Sequence, residues 1–163
     1  MSNTGSFGGG ITAQDFVQRQ LQAALRTGAR QLMFFTENGQ APVAGDGGTA
    51  VFSVCCKPLS LRWMQALQSA GYRSDRRTFF DLTALCMHLP SAGVQVILRE
   101  LFAAAPSGSE AAVWYGGSYS ADTTAEDFLE RDMPQRMAAR AGARIYVRQQ
   151  AAGGGEFLLL VKK

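Results

Sequence analysis

The sequence is poor in histidine, in cysteine and in long apolar runs, and each shortage excludes something. A single histidine, His88, stands among 163 residues. The three cysteines, Cys55, Cys56 and Cys86, are an odd number without framework spacing, and two of them are adjacent. Such a set points to a reducing compartment rather than a disulfide scaffold. No C-x-x-C occurs, and one His with three Cys lacks a zinc spacing, so no metal is expected. No run approaches the roughly 20 apolar residues that span a bilayer. The first ten residues lack the basic and apolar segments of a secretory signal. Gly8–Gly10 and Gly153–Gly155 are neither P-loops nor dinucleotide fingerprints, so no cofactor is expected.

What is present describes a folded domain. An apolar fraction of 47% with 18% charged residues is ordinary for a globular chain of this length. The net charge of +3 comes from thirteen arginines and three lysines against thirteen acids. With much alanine and glycine, that arginine bias suggests a bacterial source. Residues 1–10 read as a flexible Ser/Gly/Asn leader and 11–163 as one domain. The expected location is the cytoplasm of the producing bacterium, with export through a specialised secretion system as the alternative.

The periodicity gives the elements. Val17, Leu21, Ala24 and Leu25 predict a helix over 12–27 stopped by Gly28, and Gln31–Thr36 reads as a buried strand. Residues 37–49 form a Gly-rich loop. Ala50–Val54 is strand-like and runs into a second helix, whose stripe is Leu59, Trp63, Ala66, Leu67 and Ala70. Pro58 confines that helix's first turn to its own vicinity, which puts Cys56 at the N-terminal edge. Thr78 with Asp81 resembles a capping box opening a third helix. A fourth follows Pro90, and a fifth runs from Thr123 to about Ala141, bent near Pro134. Ala111–Tyr115 reads as a strand, and Arg144–Gln149 with Phe157–Val161 as a hairpin. Helices early and strands late predict an α+β fold, an antiparallel sheet packed on helices, rather than a doubly wound one.

A helix N-terminus stabilises a thiolate and a nearby oxyanion, so Cys56 in that position is a candidate nucleophile, with Cys55 one residue further out. The alternative is a pair of small buried apolar residues. Any Cys–His mechanism must use His88; its alternative is a helix-end imidazolium facing C-terminal carbonyls. Asp122 and Asp127 are candidates for the orienting carboxylate, Asp127 also fitting a helix's first turn. Gln40 could offer an oxyanion-hole amide from its loop. Arg136, Arg140 and Arg144 make a basic row that reads as a solvated face, and nucleic acid is not the expected partner.

The segment Cys56-x-x-Leu59-Ser60-x-x-Trp63 resembles the nucleophile helix of the YopT/AvrPphB-type papain-like cysteine peptidases. Residues 107–115 are similar to the strand that carries that family's histidine, with Glu110 in the histidine's place. The resemblance implies a papain-like fold with helices on a short antiparallel sheet. It implies a bacterial effector-type protein that attacks a protein amide, with Cys56, His88 and Asp122 as catalytic residues and Cys55, Glu110 and Trp63 flanking them. Glu110 in place of histidine leaves a pseudoenzyme as one outcome. The alternative is a non-catalytic protein partner, a secretion-system adaptor or a toxin-immunity protein. Either way the expected partner or substrate is a protein.

Overall fold

The computed structural model describes residues 10–116 and 133–163. Helix α1 (Ala13–Arg26) opens the fold, with the Thr12 side chain accepting from the Asp15 N–H at its start. Strand β1 (Gln31–Thr36) leads through the loop 37–49 to β2 (Ala50–Cys55). Helix α2 (Trp63–Ser69) then precedes β3 (Thr78–Asp81). Helices α3 (Thr83–His88) and α4 (Ser91–Ala104) connect β3 to β4 (Glu110–Tyr115). Helix α5 (Met133–Arg140) is followed by the hairpin β5 (Ala143–Gln150) and β6 (Glu156–Lys162).

The six strands form one mixed sheet in the order β2-β1-β3-β4-β6-β5. The first four are parallel, and β6 joins β4 and β5 antiparallel. Helices cover both faces. Met33, Phe35, Phe80 and Val113 point to the side of α2, α3 and α4, and Leu32, Phe34, Phe79 and Ala112 to the side of α1. Phe80 stands 6.1 Å from Phe102 and Phe35 stacks edge-on against Trp63 at 5.5 Å; across the sheet Phe16 lies 5.2 Å from Phe157. Burial on both faces explains why β1 and β3 carry continuous apolar runs rather than alternation.

This corrects the expected fold. The sheet is neither short nor antiparallel, and the arrangement is not papain-like. Two local misreadings account for it. Thr78–Asp81 is a fully buried strand, not a capping box. Asp81 instead caps from outside, its Oδ1 accepting from the Thr83 N–H (3.0 Å) and Oγ (2.7 Å) at the start of α3. The second helix begins at Trp63, so Cys56 lies seven residues ahead of it in an isolated bridge with Leu59. The expected start of the fifth helix, residues 123–132, lies outside the described residues.

The amino ends of the strands are closed by polar clamps. Buried Gln31 donates to the Arg73 carbonyl (2.7 Å) and Thr78 Oγ (3.0 Å) and accepts from the Arg73 N–H. Arg77 donates to the Gly108 carbonyl and to Thr27, tying α1 to the start of β4.

Candidate functional site

In an open α/β sheet, ligands bind outside the carboxyl ends of the strands where the strand order reverses. Here that point lies between β1 and β3: the chain leaves β1 toward β2 and returns past it to β3. Register brings a polar row to this edge. Ser53, Phe34 and Asp81 are paired neighbours on β2, β1 and β3, and Cys55 stands beside Thr36 one step further on. The two-residue alternation of strands places Thr36, Cys55 and Asp81 on the α1 side of the sheet.

Each group has a defined setting. Thr36 Oγ is buried without a hydrogen-bond partner among the described residues. Its carbonyl accepts from the Cys56 N–H at 2.8 Å. Asp81 is buried, and burial raises its carboxyl above the usual range, against the pull of its two bonds from Thr83. Glu37 follows Thr36 directly; His88 Nε2 lies 3.1 Å from its carboxylate and Lys57 Nζ 3.7 Å. Cys55 Sγ donates to the Glu37 carbonyl at 3.2 Å. Ser53 Oγ donates to the Gly39 carbonyl at 2.5 Å, strapping the turn after β1 onto β2. Gly39 has φ +78°, and a Cβ there would stand 3.4 Å from Cys55 Cβ.

The structure therefore gathers Cys55, Cys56 and His88 at one end of the sheet, with Glu37 as the group that His88 faces. It does not gather the rest. Glu110 is the first residue of β4, at the amino ends, where burial raises its carboxyl and Arg77 lowers it. Trp63 is a core residue against Phe35. Asp122 and Asp127 lie outside the described residues. Gln40 contributes its N–H to an Asn38 turn, at 3.0 Å.

The thiols are also wrong for nucleophilic work. Cys56 is 2% exposed, and burial first, then the charges of Cys55, Glu37 and Asp81, push its pKa up. An activated cysteine needs the opposite shift. Cys86 accepts from the Trp114 N–H, and burial pushes its thiol to about 12. Iodoacetamide near neutral pH is expected to label exposed Cys55 first and Cys56 more slowly. Cys86 should react only as the protein unfolds, with peptide mass spectrometry giving the order. Rapid labelling of Cys56 ahead of Cys55 would contradict this.

Sequence reasoning missed Thr36, Glu37 and Asp81. The available signal was a buried run ending in a polar residue, Leu32-Met33-Phe34-Phe35-Thr36-Glu37 and Phe79-Phe80-Asp81, which is how parallel strands deliver side chains to a carboxyl-end crevice.

No protein-family model and no curated protein matches the chain. Solved structures do resemble it in fold. Magnesium protoporphyrin IX methyltransferase (ChlM) from Synechocystis PCC 6803, solved with bound SAM, is 12% identical with a TM-score of 0.53, over 92% of this chain and 79% of that one. Mitomycin 7-O-methyltransferase MmcR is 10% identical with a TM-score of 0.51, over 94% of this chain and 61% of that one. TnmH is 13% identical with a TM-score of 0.49, and this chain spans 57% of its length. The likeness to papain-type peptidases is thus overturned, and with it amide attack through Cys56; the partner-protein alternative gains no support. The fold is similar to that of these two methyltransferases.

Proposed function

We propose that the chain is a methyltransferase-fold domain that takes a small molecule in the crevice at the carboxyl ends of β1 and β3, with a crevice altered away from S-adenosylmethionine. The observation that carries this reading is the buried Thr36 hydroxyl at the switch point, without a partner among the described residues. A buried hydroxyl without a partner costs about 1–3 kcal/mol, which a ligand hydrogen bond relieves. Beside it Glu37 offers the crevice's exposed carboxylate. A ligand bearing an amine or hydroxyl suits both.

The residues present do not fit S-adenosylmethionine. That cofactor brings a sulfonium and an ammonium, a ribose diol and a carboxylate. A diol in such a crevice is held by a carboxylate at the end of the strand beside β1. Here Cys55 ends β2 and Cys56 follows it, and both are thiols. The carboxylate would seek free N–H groups at a helix start after β1. Residues 37–49 contain no helix, and the turn is strapped onto β2 instead. Methyl transfer is the activity that the fold neighbours' names suggest; for this chain the crevice argues against it, and no methyl-transfer step is derived.

The test pairs calorimetry with one variant. S-adenosylmethionine and S-adenosylhomocysteine at 1 mM (roughly the weak end of cofactor affinities) are expected to give neither heat nor a thermal shift. Thr36→Val, which removes the orphaned hydroxyl, is expected to stabilise the ligand-free protein by about 1 kcal/mol in urea unfolding. Micromolar cofactor binding would restore the methyltransferase reading, and a destabilised Thr36→Val would remove the orphan hydroxyl as the ligand's anchor.

A further inference from the structure

Charge is handled differently at the two ends of the sheet. At the carboxyl ends it is paired: Glu37 with His88 and Lys57, Glu156 with Arg148. At the amino ends seven of the thirteen arginines gather. Arg73 is held by Asp75, and Arg77 by Thr27 and the Gly108 carbonyl. The other five, Arg26, Arg30, Arg76, Arg140 and Arg144, are exposed and have no ion-pair partner among the described residues. The side-chain carboxylates described beside them are Asp75, taken by Arg73 though also drawn on by Arg76, and half-buried Glu110.

Main-chain bonds set these arginines in a line. The Arg30 N–H donates to the Arg77 carbonyl at 2.9 Å, so the residues ahead of β1 and β3 lie side by side. Arg77 reaches Thr27, next to Arg26, on one side and Gly108 on the other. The Gly108 N–H donates to the Lys162 carbonyl (3.0 Å), and the Lys163 N–H to the Gly142 carbonyl (3.1 Å), between Arg140 and Arg144. The line therefore crosses from β1 through β3, β4 and β6 to β5. At roughly 4.8 Å per strand it is about 19 Å long. Cations complement helix C-termini, which accounts for Arg26 and Arg140 in the last turns of α1 and α5. It does not account for Arg30, Arg76 and Arg144, which belong to no helix. Two residues along β5 from Arg144, the register passes over Tyr146, and the side chain is 73% exposed. A bulge re-aims a side chain in this way.

We propose that the arginine line and Tyr146 together bind single-stranded nucleic acid, the arginines on its phosphates and the tyrosine under one base. Arginine forks suit phosphate oxygens, and an aromatic face stacks on any base, so the site reads no sequence. The path turns from the amino-end rim up the β5 edge; a flexible single strand follows that turn, whereas a duplex is a stiff rod over such a length. An acidic protein would need an apolar centre to its interface, and an acidic bilayer an apolar face to insert. Besides Tyr146, the large apolar side chain exposed beside the line among the described residues is Leu25, at 39%. This surface lies at the opposite end of the sheet from the crevice and does not depend on what the crevice holds.

The test is fluorescence anisotropy of the full chain with labelled single strands of DNA and of RNA, about 12 nucleotides long (within the usual range of site sizes). Binding is expected at roughly 1–10 µM in about 50 mM salt, weakening about a hundredfold by about 200 mM, as about five phosphate contacts at roughly −0.7 each in the salt slope require. Arg30→Gln and Arg144→Gln should each weaken binding about three- to tenfold and flatten that slope by roughly 0.7. Tyr146→Ala should weaken it at least about fivefold and leave the slope unchanged. Arg62→Gln, ahead of α2, should change neither. The proposal is overturned by no binding at about 100 µM protein in low salt (roughly the weak limit of non-specific association), or by a duplex that binds as tightly as the single strand. Phosphatidylglycerol vesicles bound more tightly than the oligonucleotide would make the line a membrane contact instead. An Arg62→Gln effect equal to that of Arg30→Gln, or a Tyr146→Ala protein that binds as the parent does, also removes it.

Discussion

Replacing Phe80 with alanine is expected to cost about 3–5 kcal/mol, enough to leave much of the protein unfolded at 25 °C. Phe80 is wholly buried in β3, the strand that joins the β2-β1 pair to the rest of the sheet. Its ring meets Phe102 of α4 at 6.1 Å and Tyr72 at 6.5 Å, so one side chain holds together a strand, a helix and the segment after α2. Truncation leaves a void between layers that cannot close without moving the sheet. Urea unfolding with an unchanged slope would measure the loss directly. Val96→Ala in α4 is the control: the residue is 62% exposed, and its change should stay within about 0.5 kcal/mol. A Phe80→Ala protein within 1 kcal/mol of the parent would contradict this packing (about the noise of surface changes).

How much of this was legible depends on the kind of pairing. Helix α1 announced itself through Val17, Leu21 and Ala24, with Gly28 as its stop, and the β5–β6 hairpin through its alternation and Gly-rich turn. Both are local signals. The parallel strands are not local. Four buried residues, Thr78–Asp81, are too few to show a period and happen to match a capping box. The segment Ala50–Val54 did look like a strand, but its partner, β1, is separated from it by a helix-free loop, and parallel pairing leaves no hairpin signature. Once β3 is misread and the pairing of β2 is missed, the sheet loses its parallel half and the fold class follows. The site was misread for the same reason. Cys56 drew attention because a helix was placed too early, whereas the crevice groups sit at strand ends whose adjacency only the register reveals.

Asp81 ties the crevice to pH, and the sign can be worked out. Burial raises its carboxyl pKa in the folded chain above the ordinary value of 3.8. Between the ordinary value and the raised one, the folded state holds a proton that the unfolded state has released. Stability then falls as pH rises through that window and is level above it. At neutral pH the folded protein therefore carries an unfavourable contribution from this group. Asp81→Asn removes the charge and keeps an oxygen to accept from the Thr83 N–H and Oγ. The variant is expected to be the more stable protein at pH 7, with the difference closing as pH is lowered past 3.8. Subtracting the two stability-against-pH curves cancels the other carboxylates, including Glu110, whose pKa burial also raises. If Asp81→Asn is instead the weaker protein at pH 7, and the gap widens with pH, the ionised carboxylate is what holds α3 to β3. In the expected case the raised pKa lets Asp81 take up a proton more readily than an ordinary aspartate, while its Oδ1 still accepts from Thr83.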